Sequence, residues 1–136
     1  MDSTSFSAWL KSYGDAWQSG DSDEIGSLFS AQAEYYVTPF GEPWRGRRAI
    51  VAAWQSDREG HSEVRYESEE LALKADRGLA RVRVRYLTNA FPLDQVEADA
   101  IFSVVFDESE RCSEFRQWMV LKERPEETNP DQSPGA

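Results

Sequence analysis

Few side chains in this 136-residue sequence are of types that do covalent or metal chemistry. Cys112 is the sole cysteine and His61 the sole histidine. One of each precludes an internal disulfide, falls short of the usual zinc ligand sets and gives no secure Cys–His nucleophile pair. His61 follows Arg58-Glu59-Gly60, which reads as a loop, so it is expected to be exposed and idle. Acids are plentiful, but no Asp/Glu spacing suggests a metal site, and neither metal nor cofactor is expected. Hydroxyl and amide chemistry remains. Tyr13 lies in "KSYGDAWQSGD", Tyr36 and Thr38 in "AEYYVTPFGEPWRGRRAIVAAW", and Gln117 in "FRQWMV". A buried hydroxyl or amide needs a partner, and such groups can bind or orient an oxygen on a ligand.

The whole chain bounds what such a site could serve. With 25 acids against 15 bases the formal charge is −10, which repels a phosphate backbone, and no basic stripe with interleaved aromatics is present. Nucleic acid is therefore not an expected partner. No apolar run approaches the roughly 18 residues of a membrane span, and "MDSTSFSAWL" has no basic start leading into an apolar core. The expectation is a cytoplasmic protein of one domain, residues 1–124, with a disordered tail at 125–136, "PEETNPDQSPGA".

Periodicity supplies the elements that would position the candidates. Phe6, Trp9, Leu10, Tyr13, Ala16 and Trp17 recur at helical steps, and Gly20 is placed to stop that helix. Asp21 with Glu24 marks the start of a short second helix carrying Ile25, Leu28 and Phe29. Ala33 to Thr38 reads as a strand, and Pro39 and Pro43 bracket a turn around Phe40-Gly41. A third helix is expected from about Arg47 to Ser56, burying Ile50, Val51 and Trp54. Beyond Gly60 the period becomes two. Strands are expected at Val64 to Lys74, through "LARVRVRYLTN", at Val96 to Phe106, and at Arg111 to Lys122. Their connections fall at Asp76-Arg77-Gly78, Phe91 to Gln95, and Asp107 to Glu110. Helices followed by hairpin-connected strands describe an α+β fold, with helices over one face of a mainly antiparallel sheet.

The segments "YGDAWQSGDSDEIGSLFS" (Tyr13 to Ser30), "YYVTPFGEPWRGRRAI" (Tyr35 to Ile50), "EADAIFSVVFDESERC" (Glu97 to Cys112) and "FRQWMV" (Phe115 to Val120) carry a family resemblance. In this order they resemble the nuclear transport factor 2-like superfamily, especially its SnoaL-like members. The resemblance implies a cone: three helices over the concave face of a strongly curved, mainly antiparallel sheet. It also implies a homodimer through the outer sheet face. Isomerases, cyclases, dehydratases, epoxide hydrolases and non-catalytic binding modules share this fold. Tyr13 matches the oxyanion-donating tyrosine of its steroid isomerases, but Thr38 stands at their general base and Phe102 at their second donor. Gln117, after Arg116, stands where limonene-epoxide-hydrolase-like members carry an aspartate. The SnoaL-like cyclases place a histidine or aspartate in the pocket, and His61 is expected outside it. No catalytic set of the superfamily is therefore complete here.

Strand alternation puts Val82, Val84, Tyr86 and Thr88 on one face with Ala98, Ala100, Phe102, Val104, Phe115, Gln117 and Met119. The small Ala98 and Ala100 would leave a cavity beneath the helices, unless Trp9, Trp17 or Trp54 fills it. Tyr13, Tyr36, Thr38, Phe40, Trp54, Phe102 and Gln117 are expected to line that cavity, open near the Pro39–Pro43 turn. In this register no cation points inward and no carboxylate serves as a strong base. The functional expectation is a small-molecule-binding protein with a mostly apolar pocket. The alternative is an isomerase, cyclase or hydrolase acting on a small apolar substrate, with Tyr13 as hydrogen-bond donor. The outer face mixes Arg83, Arg85, Glu97, Asp99, Glu114 and Arg116 with Ile101, Trp118 and Val120, which suits a self-complementary dimer surface.

Overall fold

A computed structural model describes residues 1–89 and 95–122. Helix α1 (Ser3–Ser19) begins where the Asp2 side chain accepts the Ser5 N–H at 2.8 Å. It ends at Gly20, whose left-handed φ of 78° lets its N–H close on the Ala16 carbonyl at 2.7 Å. The Asp21 carboxylate then caps α2 (Ser22–Ser27), accepting from the Asp23 and Glu24 amides. Helix α3 (Arg47–Arg58) buries Ile50 and Trp54.

The strands are β1 (Phe29–Tyr36), β2 (Trp44–Arg45), β3 (His61–Lys74), β4 (Arg77–Thr88), β5 (Gln95–Phe106) and β6 (Cys112–Leu121). They form one six-stranded sheet in the order β2-β1-β6-β5-β4-β3, with β1 parallel to β6 and every other pair antiparallel. This is the expected α+β architecture of three helices on a mainly antiparallel sheet. Two details of β1 and β2 differ from the pattern. Strand β1 starts four residues before Ala33, because Phe29 pairs with Cys112, whose N–H reaches the Leu28 carbonyl at 2.8 Å. The turn between Pro39 and Pro43 also folds back as the short strand β2, pairing Trp44 with Tyr35. Of the connection expected from Phe91 to Gln95, residues 91–94 lie outside the described residues, as does the tail at 125–136, while Gln95 opens β5.

The register of the long strands is the one that alternation implies. Val82 faces Ala100, Val84 faces Ala98, and Phe102 faces both Ala80 and Gln117. These side chains are buried and meet Phe6, Trp9, Leu10, Tyr13 and Trp17 of α1 in one core. A β-bulge interrupts β3. Between Ser62 and Arg65 the pairing slips by one residue, and Glu63 takes a φ of 51°. The bulge reverses which parity of β3 faces inward, so His61 and Tyr66 end on the same side of the sheet.

Candidate functional site

Five near-parallel rings run through the core from β2 to α1. Trp44 stacks on Tyr35 at 4.8 Å, Tyr35 on Phe115 at 4.2 Å, Phe115 on Tyr13 at 5.7 Å, and Tyr13 on Trp9 at 5.5 Å. At one side of this column the helices do not close on the sheet, leaving a cavity of about 240 Å³. Helix α1 contributes Tyr13 and Trp17, and α3 contributes Trp54, Asp57 and Arg58. Tyr35, Val37 and Trp44 come from the β1–β2 corner, His61 and Tyr86 from β3 and β4, and Gln117 and Met119 from β6. An engineered apolar cavity of about 150 Å³ admits benzene, so this one has room for one or two fused rings.

Polar groups are spaced around an otherwise aromatic wall. The Tyr13 and Tyr35 hydroxyls lie 2.6 Å apart, and burial pushes both phenols to higher pKa. The Gln117 side-chain N–H donates to the Val37 carbonyl at 3.0 Å, fixing the amide. Trp17 donates its indole N–H to His61 Nδ1 at 3.4 Å, and the imidazole stacks on Tyr86 at 3.9 Å. Because Nδ1 accepts, the neutral ring carries its proton on Nε2. Desolvation and then the Arg58 charge lower the His61 pKa, while desolvation raises that of Asp57. Both groups are thereby biased toward their neutral forms. Arg58 donates to the carbonyls of Trp17, of His61 at 2.7 Å and of Gln18 at 3.0 Å, which ties the end of α1 to the start of β3.

Of the residues expected to line the cavity, Tyr13, Trp54 and Gln117 do so. Phe102 is fully buried beneath it, edge-on to Tyr13 at 5.5 Å and to Phe115 at 4.6 Å. Tyr36, Thr38 and Phe40 lie elsewhere. Tyr36 lies under the Arg116 guanidinium at 3.8 Å, Thr38 is exposed and turns back to the Phe40 carbonyl, and Phe40 is 84% exposed. A one-residue error in the phase of β1 accounts for Tyr36 and Thr38, since it exchanges the two faces of a strand. Ala33, Tyr35 and Val37 are the inward set. Glu34 was the available signal, because a phase that turns Tyr36 inward also buries a carboxylate.

His61, expected in a loop and outside the cavity, opens β3 half-buried and lines it; the bulge turns it inward. Asp57 and Arg58 likewise place a carboxylate and a cation in a wall expected to hold neither. Ile50, Trp54 and Asp57 fall at helical steps of four and three, so the apolar stripe of α3 already pointed to Asp57. A larger open groove of about 980 Å³ includes Arg65, Glu67, Arg83, Glu97 and Asp99. Its charges are exposed and partly paired, as in the 3.4 Å Arg83–Glu67 bridge.

An α+β sheet carrying three helices, with an aromatic cavity between them, has the architecture of the nuclear transport factor 2-like superfamily. Within it the chain belongs to the SnoaL-like domain family, whose model matches residues 10–114. Solved structures bear out the fold. An epoxide hydrolase/cyclase-like enzyme, SalBIII, described in pyran ring formation in the polyether salinomycin, superposes with a TM-score of 0.76 at 16% identity, covering 88% of this chain and 93% of that one. A protein from Shewanella denitrificans OS-217 named for SnoaL-like polyketide cyclases gives 0.72 at 15% identity, covering 96% and 97%. An uncharacterized protein with a cystatin-like fold from Silicibacter pomeroyi DSS-3 gives 0.60 at 16%, covering 88% and 76%. No curated protein matches the sequence. Among the described residues no helix is long and apolar enough to cross a membrane, and no cluster of His, Cys, Asp and Glu could hold a metal ion.

Proposed function

We propose that this protein binds a small, mostly apolar, uncharged molecule in the cavity between α1, α3 and the sheet. The observation that carries the reading is a 240 Å³ space walled by Trp17, Trp44, Trp54 and Tyr86, with hydroxyl and amide groups placed within it. Pockets of this kind combine apolar walls with a few fixed polar groups. Catalysis is the second reading, favoured by Asp57 and His61: a carboxyl raised and an imidazole lowered in one pocket are candidate proton-transfer groups. The SalBIII and polyketide cyclase likenesses extend the same suggestion to cyclase or hydrolase chemistry. A homodimer through the outer sheet face and a cytoplasmic setting complete the proposal. The first is supported by the apolar and mixed-charge surface of β5 and β6.

One NMR titration tests binding and chemistry together. With 1-indanone in heavy water, the indole signals of Trp17, Trp44 and Trp54 should shift. A Val37→Trp variant, which fills the space, should abolish those shifts. Unmoved indole signals, or equal binding by Val37→Trp, would overturn the cavity as the site. Exchange of the ketone's α-hydrogens at a rate lost in Asp57→Asn would favour catalysis, and binding without exchange would favour a module that does not enolise ketones.

A further inference from the structure

Two phenols 2.6 Å apart share one hydrogen bond, so the pair has one proton left to give. We propose that Tyr35 presents that proton to the ligand and that Tyr13 acts behind it as a positioning residue. The cavity thus selects neutral molecules bearing an acceptor oxygen, such as a ketone, ether or epoxide. This rests on the reading that the cavity binds a small molecule.

The direction of the shared bond follows from what surrounds each hydroxyl. If Tyr13 passes its proton to Tyr35, the shared bond polarises the Tyr35 hydroxyl and leaves the Tyr35 proton to meet the ligand. The reverse direction leaves the remaining proton on Tyr13, deeper among the aromatic rings of α1 and the sheet. Both phenols are buried, at 1% for Tyr13 and 3% for Tyr35, but Tyr13 has Trp9, Trp17, Tyr66, Phe102 and Phe115 around its ring. Tyr35 lies at the other end of the shared bond. Asp57 stands in the same cavity wall as Tyr35, with the capacity to accept from a hydroxyl or from the ligand.

Geometry fixes the donor as well as its direction. The Tyr35 ring is clamped between Trp44 and Phe115, at interplanar angles of 15° and 17°, so its hydroxyl has little freedom beyond rotation about the C–O bond. A preorganised donor gives up little conformational entropy when a ligand arrives. A ligand lacking an oxygen leaves that buried O–H unpaired, and is discriminated against for that reason.

The test compares 1-indanone with indane, which has the same carbon skeleton and no oxygen, by tryptophan fluorescence. The wild type should bind the ketone roughly 3–10-fold more tightly, the range of one neutral hydrogen bond. Tyr35→Phe should bring the ratio to about 1 while leaving indane affinity within about twofold. Tyr13→Phe should keep part of the preference. The C=O stretch of bound 13C-labelled 1-indanone supplies a readout that packing alone does not move. It should lie at its lowest frequency in the wild type, intermediate in Tyr13→Phe, and near its apolar-solvent value in Tyr35→Phe. Should Tyr35→Phe fail to fold by circular dichroism, the wild-type and Tyr13→Phe frequencies still decide between the two phenols. Loss of preference and of frequency shift in Tyr13→Phe would make Tyr13 the donor and overturn the proposal. Equal binding of both probes by the wild type would overturn the proposal alone, whereas binding of neither would overturn the cavity reading as well.

Discussion

His61 and Asp57 show how a site's electrostatics reach the stability of the fold. The native pKa of His61 is lowered from 6.5 by desolvation and by Arg58. Between that lowered value and 6.5 the unfolded chain therefore binds more protons than the native one, and stability rises with pH across the window. Acidification from neutrality should destabilise the protein as unfolded-state His61 begins to charge. Asp57 has the opposite sign. Its native pKa is raised from 3.8, so the native state holds the extra proton and stability falls as pH climbs through the raised value. In thermal melts between about pH 5 and 7.5, His61→Gln should flatten the acid-side loss, and Asp57→Asn should raise the melting temperature near pH 7. A wild-type curve that rises on acidification from pH 7 to below 6.5, by an amount that His61→Gln removes, would reverse the assignment for His61. Both partial desolvations occur at the cavity, where poised acids and bases are of use and where charged forms are disfavoured.

At the scale of elements, the pairing of α1 with β3 turns on a residue that helix propensity would remove. Gly14 lies in the middle of α1, where alanine is favoured by about 1 kcal/mol. The Tyr66 ring occupies the space a Cβ at Gly14 would take, well inside contact distance. Gly14→Ala should therefore destabilise by about 1–3 kcal/mol in urea titration despite its better helix propensity, and Tyr66→Leu in the same chain should recover part of the loss. A neutral or stabilising Gly14→Ala would show that the ring yields freely. Gly78 is the counterpart on β4, where a Cβ would come 2.5 Å from the Phe6 ring. Such contacts are not written in periodicity, and they mark the limit of what the sequence makes legible. The apolar faces of α1, α3 and the β4–β5–β6 meander could be read because their periods run unbroken for ten or more residues. They placed Tyr13, Trp54 and Gln117 at the cavity. The β1–β2 corner could not be read as surely, because two adjacent tyrosines satisfy either phase and only Glu34 breaks the tie. His61 escaped because a single bulge changes parity, and a bulge depends on pairing with β4 rather than on local composition.

The molecule as a whole hides its aromatic core under helices on one face and leaves the other face of the sheet uncovered. On that outer face Trp118 is 44% and Val120 71% exposed, with the partly buried Ile101 paired to Trp118 across the strands. Charged side chains surround them. Arg81 holds Asp99 through two hydrogen bonds, one at 3.0 Å and one at 2.5 Å, and Lys122 meets Glu97 at 3.3 Å. Exposed pairs of this kind contribute little to folding by themselves. They do leave the apolar centre ringed by alternating charge, which a second copy turned about a two-fold axis can match with its own opposite signs. The proposed homodimer therefore depends on Trp118 as its aromatic anchor, and on Arg81 and Asp99 for register more than for affinity. In sedimentation equilibrium at moderate salt, Trp118→Ala should weaken self-association by about 1–3 kcal/mol. Exchanging the charges as Arg81→Asp with Asp99→Arg preserves the pair within one subunit and opposes it to wild-type partners, so the doubly exchanged chain should pair with itself better than with the wild type. A wild-type protein that sediments as a monomer at micromolar concentration would exclude the dimer at that concentration, while unaltered association in Trp118→Ala would move the interface elsewhere on the surface.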